Sequence, residues 1–118
     1  GYRIIEVPDN MELATTRHPY SGFVAYTPVG SIARGENLVN TGAGKTMACG
    51  LCHGADLQGM GDIPGIAGGS PVYSIRQLND FKTGARSGSM AALMAPTVVN
   101  LTTEDMVDIV AYLATLDP

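Results

Sequence analysis

Cys49-Gly50-Leu51-Cys52-His53 is the stretch of this chain whose residue types and spacing can do chemistry, and it holds the only two cysteines among 118 residues. Two thiols one helical turn apart can each add to a vinyl group on neighbouring pyrroles of a porphyrin. The residue that follows then sets an imidazole beneath the iron. Other uses of the pair fit less well. A structural zinc site wants four ligands, usually two such pairs, and the second pair is missing. A disulfide closing so short a loop would add little stability. A redox-active dithiol is expected beside a βαβ pattern, and no such pattern is readable here. The motif therefore points to covalent haem attachment through Cys49 and Cys52, with His53 bound to the iron.

The elements that must position this motif are helical. From Ser31 the pattern turns to helix, with Ile32, Leu38 and Val39 apolar and Arg34 and Glu36 between them. Residues 41–69 hold nine of the 15 glycines and read as loop with one helical turn at the cysteines. Ser70-Pro71 is a helix start, Ser as N-cap and Pro at the first position. That helix carries Tyr73, Ile75, Gln77, Leu78 and Phe81 and stops at Gly84. The last helix is the clearest. Thr102 is its N-cap, Asp105 sits where a capping box needs it, and Leu101 and Met106 have staple spacing. Met106, Ile109, Val110 and Leu113 then form one buried face. The fold class is all-α, three main helices with long Gly-rich connections.

Residues 1–30 differ from this. Pro8, Pro19 and Pro28 break any long helix, and Ile4-Ile5 and Phe23-Val24-Ala25-Tyr26 read as short extended runs. We expect an extended arm or interdomain linker over 1–30 and one domain over 31–118. With 2 Phe and no Trp the core is thin for its length, a deficit that a bound apolar cofactor would fill. The formal charge is −4 with no basic run, which disfavours nucleic acid. No apolar stretch approaches the roughly 20 residues of a membrane span. The chain starts at Gly and shows no signal peptide, as expected of a mature exported protein or a piece cut from a longer one.

Taken in order, Cys-Gly-Leu-Cys-His-Gly at 49–54, Pro64-Gly65-Ile66-Ala67-Gly68, Tyr73 with Gln77-Leu78, Phe81-Lys82-Thr83-Gly84-Ala85-Arg86, Met94 and Leu101-Thr102-Thr103-Glu104-Asp105 resemble the class I cytochromes c. More narrowly they are similar to the haem domains of periplasmic dihaem cytochromes c, from about Ser31 to Leu116. The resemblance implies a Met on the face of the iron opposite His53. Of six Met, Met11 lies in the arm, Met47 and Met60 are too near His53 to cross the ring easily, and Met106 belongs to the buried stripe. Met90 and Met94, 37 and 41 residues beyond His53, can both reach. The family register places the ligand eight residues before the N-cap Thr102, at Met94, and Pro96 stiffens the loop expected there. The resemblance also implies that the carbonyl of Pro64 holds the other ring nitrogen of His53. It further gives Tyr73, Gln77 and Arg86 a share in holding the haem or its propionates, and Gly35 and Tyr112 the close crossing of first and last helices. Gly44-Lys45-Thr46 lacks the earlier Gly and preceding strand of a phosphate loop, and His18 lies in the arm.

The function so implied is a single-electron carrier with one covalent, His/Met-ligated haem c in a respiratory or other periplasmic redox chain. It would not be an enzyme, since both axial positions are filled. Redox partner proteins would dock briefly at the exposed haem edge, and the acidic balance favours partners with a basic patch. A preceding haem domain or an enzyme subunit is a further expected partner. The alternatives are a gas-binding or peroxidatic haem protein with an open distal site, and a thiol oxidoreductase using Cys49 and Cys52.

Overall fold

Five helices and two small hairpins carry residues 4–8, 23–61, 63–84 and 91–117, the part of the chain that this computed structural model describes. In order these are β1 (Ile5–Pro8), β2 (Phe23–Tyr26), α1 (Ser31–Thr41), α2 (Gly50–His53), β3 (Gly59–Met60), β4 (Ile63–Pro64), α3 (Pro71–Thr83), α4 (Ala91–Val98) and α5 (Thr103–Leu113). A single 3-10 turn, Gly42–Gly44, follows α1. Among the described residues no helix is long and apolar enough to cross a membrane.

The centre of the fold is the crossing of α1 and α5. A Cβ placed on Gly35 would fall 1.8 Å from the backbone oxygen of Asp108 and 2.9 Å from Cβ of Tyr112, so the two helices meet at a distance only Gly permits. The family resemblance implies Gly35 and Tyr112 for this crossing. The structure adds Asp108, which is 4% exposed. Its carboxylate accepts from Ser31 Oγ at 2.6 Å and from Arg34 Nε at 3.1 Å. The far end of the Arg34 guanidinium donates to the carbonyl of Val29 at 3.1 Å. A buried carboxylate is tolerable only with such partners.

Around the crossing Leu38, Val39, Leu57, Val98, Leu101, Met106, Ile109 and Leu113 form one buried cluster. Ile32, counted as apolar face from the sequence, is instead 45% exposed. The crossing face runs through Ser31, Gly35, Leu38 and Val39, and Ile32 lies about 100° round the helix from Ser31. On α5 the expected face is buried throughout, and the capping box between Thr102 and Asp105 is complete. Burial alone would raise the Asp105 carboxyl. The bonds it accepts from Lys45 Nζ, at 2.7 Å, and from Thr102 outweigh burial and hold it below its ordinary value.

α3 begins and ends as the sequence indicates, with Ser70 Oγ accepting from the Tyr73 N–H and Gly84 in the left-handed region. Two features were not foreseen. The stretch expected to be a Pro-stiffened loop around Met94 is helix α4, with Pro96 inside it. Ala91, Ala92, Leu93, Met94 and Ala95 are strong helix formers, and in so short a helix they outweigh the single rung that Pro removes. The arm also pairs with itself: β1 and β2 are antiparallel, Ile5 opposite Tyr26 and Pro8 opposite Phe23. From β1 the Glu6 carboxylate accepts from Ser70 Oγ at 2.8 Å and from the Val72 N–H at 3.0 Å, at the start of α3.

Candidate cofactor site

The Cys-x-x-Cys-His stretch folds into a single helical turn because Cys52 N and His53 N both donate to the Cys49 carbonyl, at 3.3 and 3.0 Å. Cys49 N donates to the Val39 carbonyl at 2.9 Å, which fastens the turn to the end of α1. Both thiols are free, Cys49 half-buried and Cys52 exposed. Burial, with the neighbouring Cys52 adding to it, pushes the Cys49 thiol up despite a backbone hydrogen bond that opposes the shift. A raised thiol is the reverse of what a thiolate nucleophile needs.

His53 is buried, and its Nδ1 lies 2.7 Å from the carbonyl oxygen of Pro64. A carbonyl only accepts, so Nδ1 carries the hydrogen and the lone pair is left on Nε2, the tautomer that can bind a metal. Pro64 arrives there by the hairpin β3–β4, in which Gly59 pairs with Pro64 and Met60 with Ile63. Gly59 takes φ 107°, and a Cβ on it would lie 2.9 Å from the Ile63 oxygen, so the hairpin closes only around Gly. Behind it, Ile66 N and Ala67 N both donate to the carbonyl of buried Leu57, and Gly68 N donates to that of Leu113. The sequence carries no alternating strand signal here, since each strand is two residues long.

Of the methionines within the described residues, Met47 and Met60 are about half exposed, at 49% and 55%, and Met106 is sealed in the core at 2%. Met94 on α4 is half-buried against the central cluster, as is Cys49. The two segments are also bonded to each other: Thr46 Oγ1 donates to the Thr97 carbonyl at 2.7 Å. Gly44-Lys45-Thr46 is thus spent on structure, Lys45 on Asp105 and Thr46 on α4. Tyr73 is 61% exposed and Gln77 half-buried. Met11, His18, Arg86 and Met90 lie outside the described residues.

Ile66, Ile75, Leu78, Phe81 and Met94, like Cys49, are half-buried apolar side chains packed against the cluster, and a flat apolar ring could cover the area they leave exposed. Two free thiols on one turn and an imidazole of fixed tautomer complete a donor set that fits haem.

Residues 32–117 match the model of the family described as Cytochrome c. The chain belongs to the cytochrome c family. It is similar to cytochrome c-554(548) of Halomonas halodenitrificans, 38% identical over 84 residues that cover 70% of this chain and 93% of that one. It is 39% identical over 85 residues to the thiosulfate dehydrogenase electron acceptor of Stutzerimonas stutzeri, covering 69% of this chain but 38% of that protein. A solved cytochrome c4 from Acidithiobacillus ferrooxidans superposes with a TM-score of 0.65 at 35% identity, over 73% of this chain and 49% of that one. The chain therefore spans almost all of the first of these three and half or less of the other two. The fold is that of a class I cytochrome c, the cofactor is covalently bound haem c, and the function is that of a haem c electron carrier.

Proposed function

We propose that Cys49 and Cys52 hold the haem by thioether bonds, that His53 Nε2 and the Met94 thioether bind the iron from opposite faces, and that Pro64 fixes the His53 ring. Bound there, haem supplies a one-electron iron couple, which a soft thioether ligand biases toward the reduced state. The observation that carries this reading is the 2.7 Å contact of His53 Nδ1 with the Pro64 oxygen. It sets a buried imidazole in the metal-binding tautomer directly after two thiols that form no disulfide. The half-buried setting of Met94 on the core that Cys49 also touches supports the opposite ligand.

With both axial positions taken by the chain's own side chains, no position remains for a substrate, and the protein transfers electrons rather than turning anything over. Its partners are redox proteins that meet the exposed cofactor edge briefly and present basic groups to a chain of net charge −4. The Stutzerimonas relative's name supports a dehydrogenase as electron donor, and the kinship with that protein and with cytochrome c4 supports a periplasmic place. Residues 1–30 serve as an extended arm or interdomain linker to the domain formed by 31–118, and the bonds of Glu6 to Ser70 and Val72 support an arm at that point.

Mass spectrometry of the denatured chain, produced in cells able to attach haem, should give the polypeptide plus one haem; the bare mass would end the reading. Met94→Ala should abolish the sulfur-to-iron charge-transfer band of the ferric protein, lower the potential and open the iron to cyanide. Met90→Ala should do none of these. If Met90→Ala removes the band instead, the register is wrong and the carrier reading stands. If neither does, the open-site haem protein takes its place.

A further inference from the structure

We infer that Thr46 is a positioning residue that holds the Met94-bearing helix at the cofactor, a reading that rests on Met94 as the second ligand. Thr46 stands three residues before Cys49, and Thr97, whose carbonyl it binds at 2.7 Å, stands three residues after Met94. One side-chain bond therefore ties the segment leading into the attachment motif to the segment leading out of the opposite ligand.

The tie falls where regular structure is weakest. α4 is eight residues long, Pro96 removes one of its rungs, and Thr97 lies in its last turn. The donor is well fixed, because Thr46 N itself donates to the Gly42 carbonyl at 3.1 Å. Lys45 on Asp105 and Lys82 on the Leu101 carbonyl brace the chain beyond α4, and Thr46 braces α4 itself. Beside the tie lies an open hollow of about 470 Å³, lined by Gly44, Lys45, Thr46, Met47, Pro96 and Thr97. Val98, buried in the central cluster, pins the last residue of α4, so losing the bond frees the side of the helix that faces this hollow rather than its whole end. A site tolerates a misplacement of only about 0.5 Å in such a group, so this bond sets how firmly Met94 is presented.

Cyanide binding to the ferric holoprotein reads that firmness, because cyanide must displace Met94. Thr46→Val, which keeps the shape and loses the hydroxyl, should raise cyanide affinity roughly three- to tenfold, the range expected for one lost hydrogen bond. It should also weaken the sulfur-to-iron band. Thr46→Ser, which keeps the hydroxyl, should restore both. Ser31→Ala serves as the control: it breaks a buried bond at the α1–α5 crossing and should lower stability without moving cyanide affinity. The inference is overturned if Thr46→Val binds cyanide like the parent, or if Ser31→Ala raises affinity as much. Met94→Ala separates the two levels. A band that survives it ends the ligand reading; a band lost there, with Thr46→Val unchanged, ends only the role of Thr46.

Discussion

The α1–α5 crossing and the face that carries the attachment motif are built in opposite ways. At the crossing, Gly35 meets the backbone of Asp108, the Asp108 carboxylate is bonded by Ser31 and Arg34, and Leu38, Val39, Met106 and Ile109 are buried. Protein atoms alone complete that half. On the cofactor face α2 is a single turn and α4 holds only eight residues with Pro96 among them, and Cys49, Ile75, Leu78, Phe81 and Met94 stop half-buried. One half is a finished core, and the other is a wall that the haem finishes. Stability and function are thereby separated: the crossing sets whether the domain folds, and the face sets what it holds.

The largest expected effect comes from withholding the cofactor. Cys49→Ala with Cys52→Ala should leave amide hydrogen exchange slow in α1 and α5 but fast in α3 and α4, because those helices lose the ring that their apolar sides cover. Uniform loss of protection, or uniform retention, would break the comparison. Next comes one substitution made in both halves. Gly35→Ala must push apart two helices in contact and should cost about 3 kcal/mol in urea denaturation of the holoprotein. Gly50→Ala, where a Cβ meets nothing nearer than 3.7 Å, should be neutral or stabilise by up to about 1 kcal/mol. A smaller effect is expected at Asp108. Asp108→Ala strands the buried Ser31 hydroxyl and one side of Arg34, and should cost about 2 kcal/mol, with the sulfur-to-iron band unmoved.

How much of this was legible in the sequence follows the same division. The α5 face, its capping box and the Ser70-Pro71 start of α3 are local patterns, each resolved within a turn or two of helix, whereas the Gly35–Tyr112 contact, 77 residues apart in the chain, came from the family resemblance. Asp108 was not legible, because an Asp among apolar residues reads as a solvent-facing side chain until its partners, 74 and 77 residues away, are brought to it. Helix α4 was hidden by Pro96, which as a local signal argues against the helix that the five residues before it favour. The strands of the β3–β4 hairpin are two residues each, too short to alternate, and the Thr46–Thr97 bond is a long-range closure that leaves no periodic trace. The motif at 49–53 was readable because covalent chemistry fixes its spacing. The choice of Met94 came from family register, and its setting on the core came from the fold.

The smallest effect expected concerns the arm, which belongs to neither half. Glu6 lies at the N-terminus of α3, accepting from Ser70 Oγ and Val72 N while Ser70 Oγ accepts in turn from Tyr73 N. A carboxylate there meets two donors and the positive end of the helix dipole, so Glu6→Ala should destabilise the holoprotein by about 1 kcal/mol. Glu6→Gln keeps an acceptor and loses only the charge, and should cost about half of that. Added salt should narrow the gap between Gln and parent, since the contact is exposed and screened. Limited proteolysis supplies the second readout: in Glu6→Ala, cleavage before Ser31 should quicken while the haem spectrum stays unchanged. If Glu6→Ala alters neither stability nor cleavage, the arm does not rest on this domain in solution, and residues 1–30 are better read as a linker toward another one.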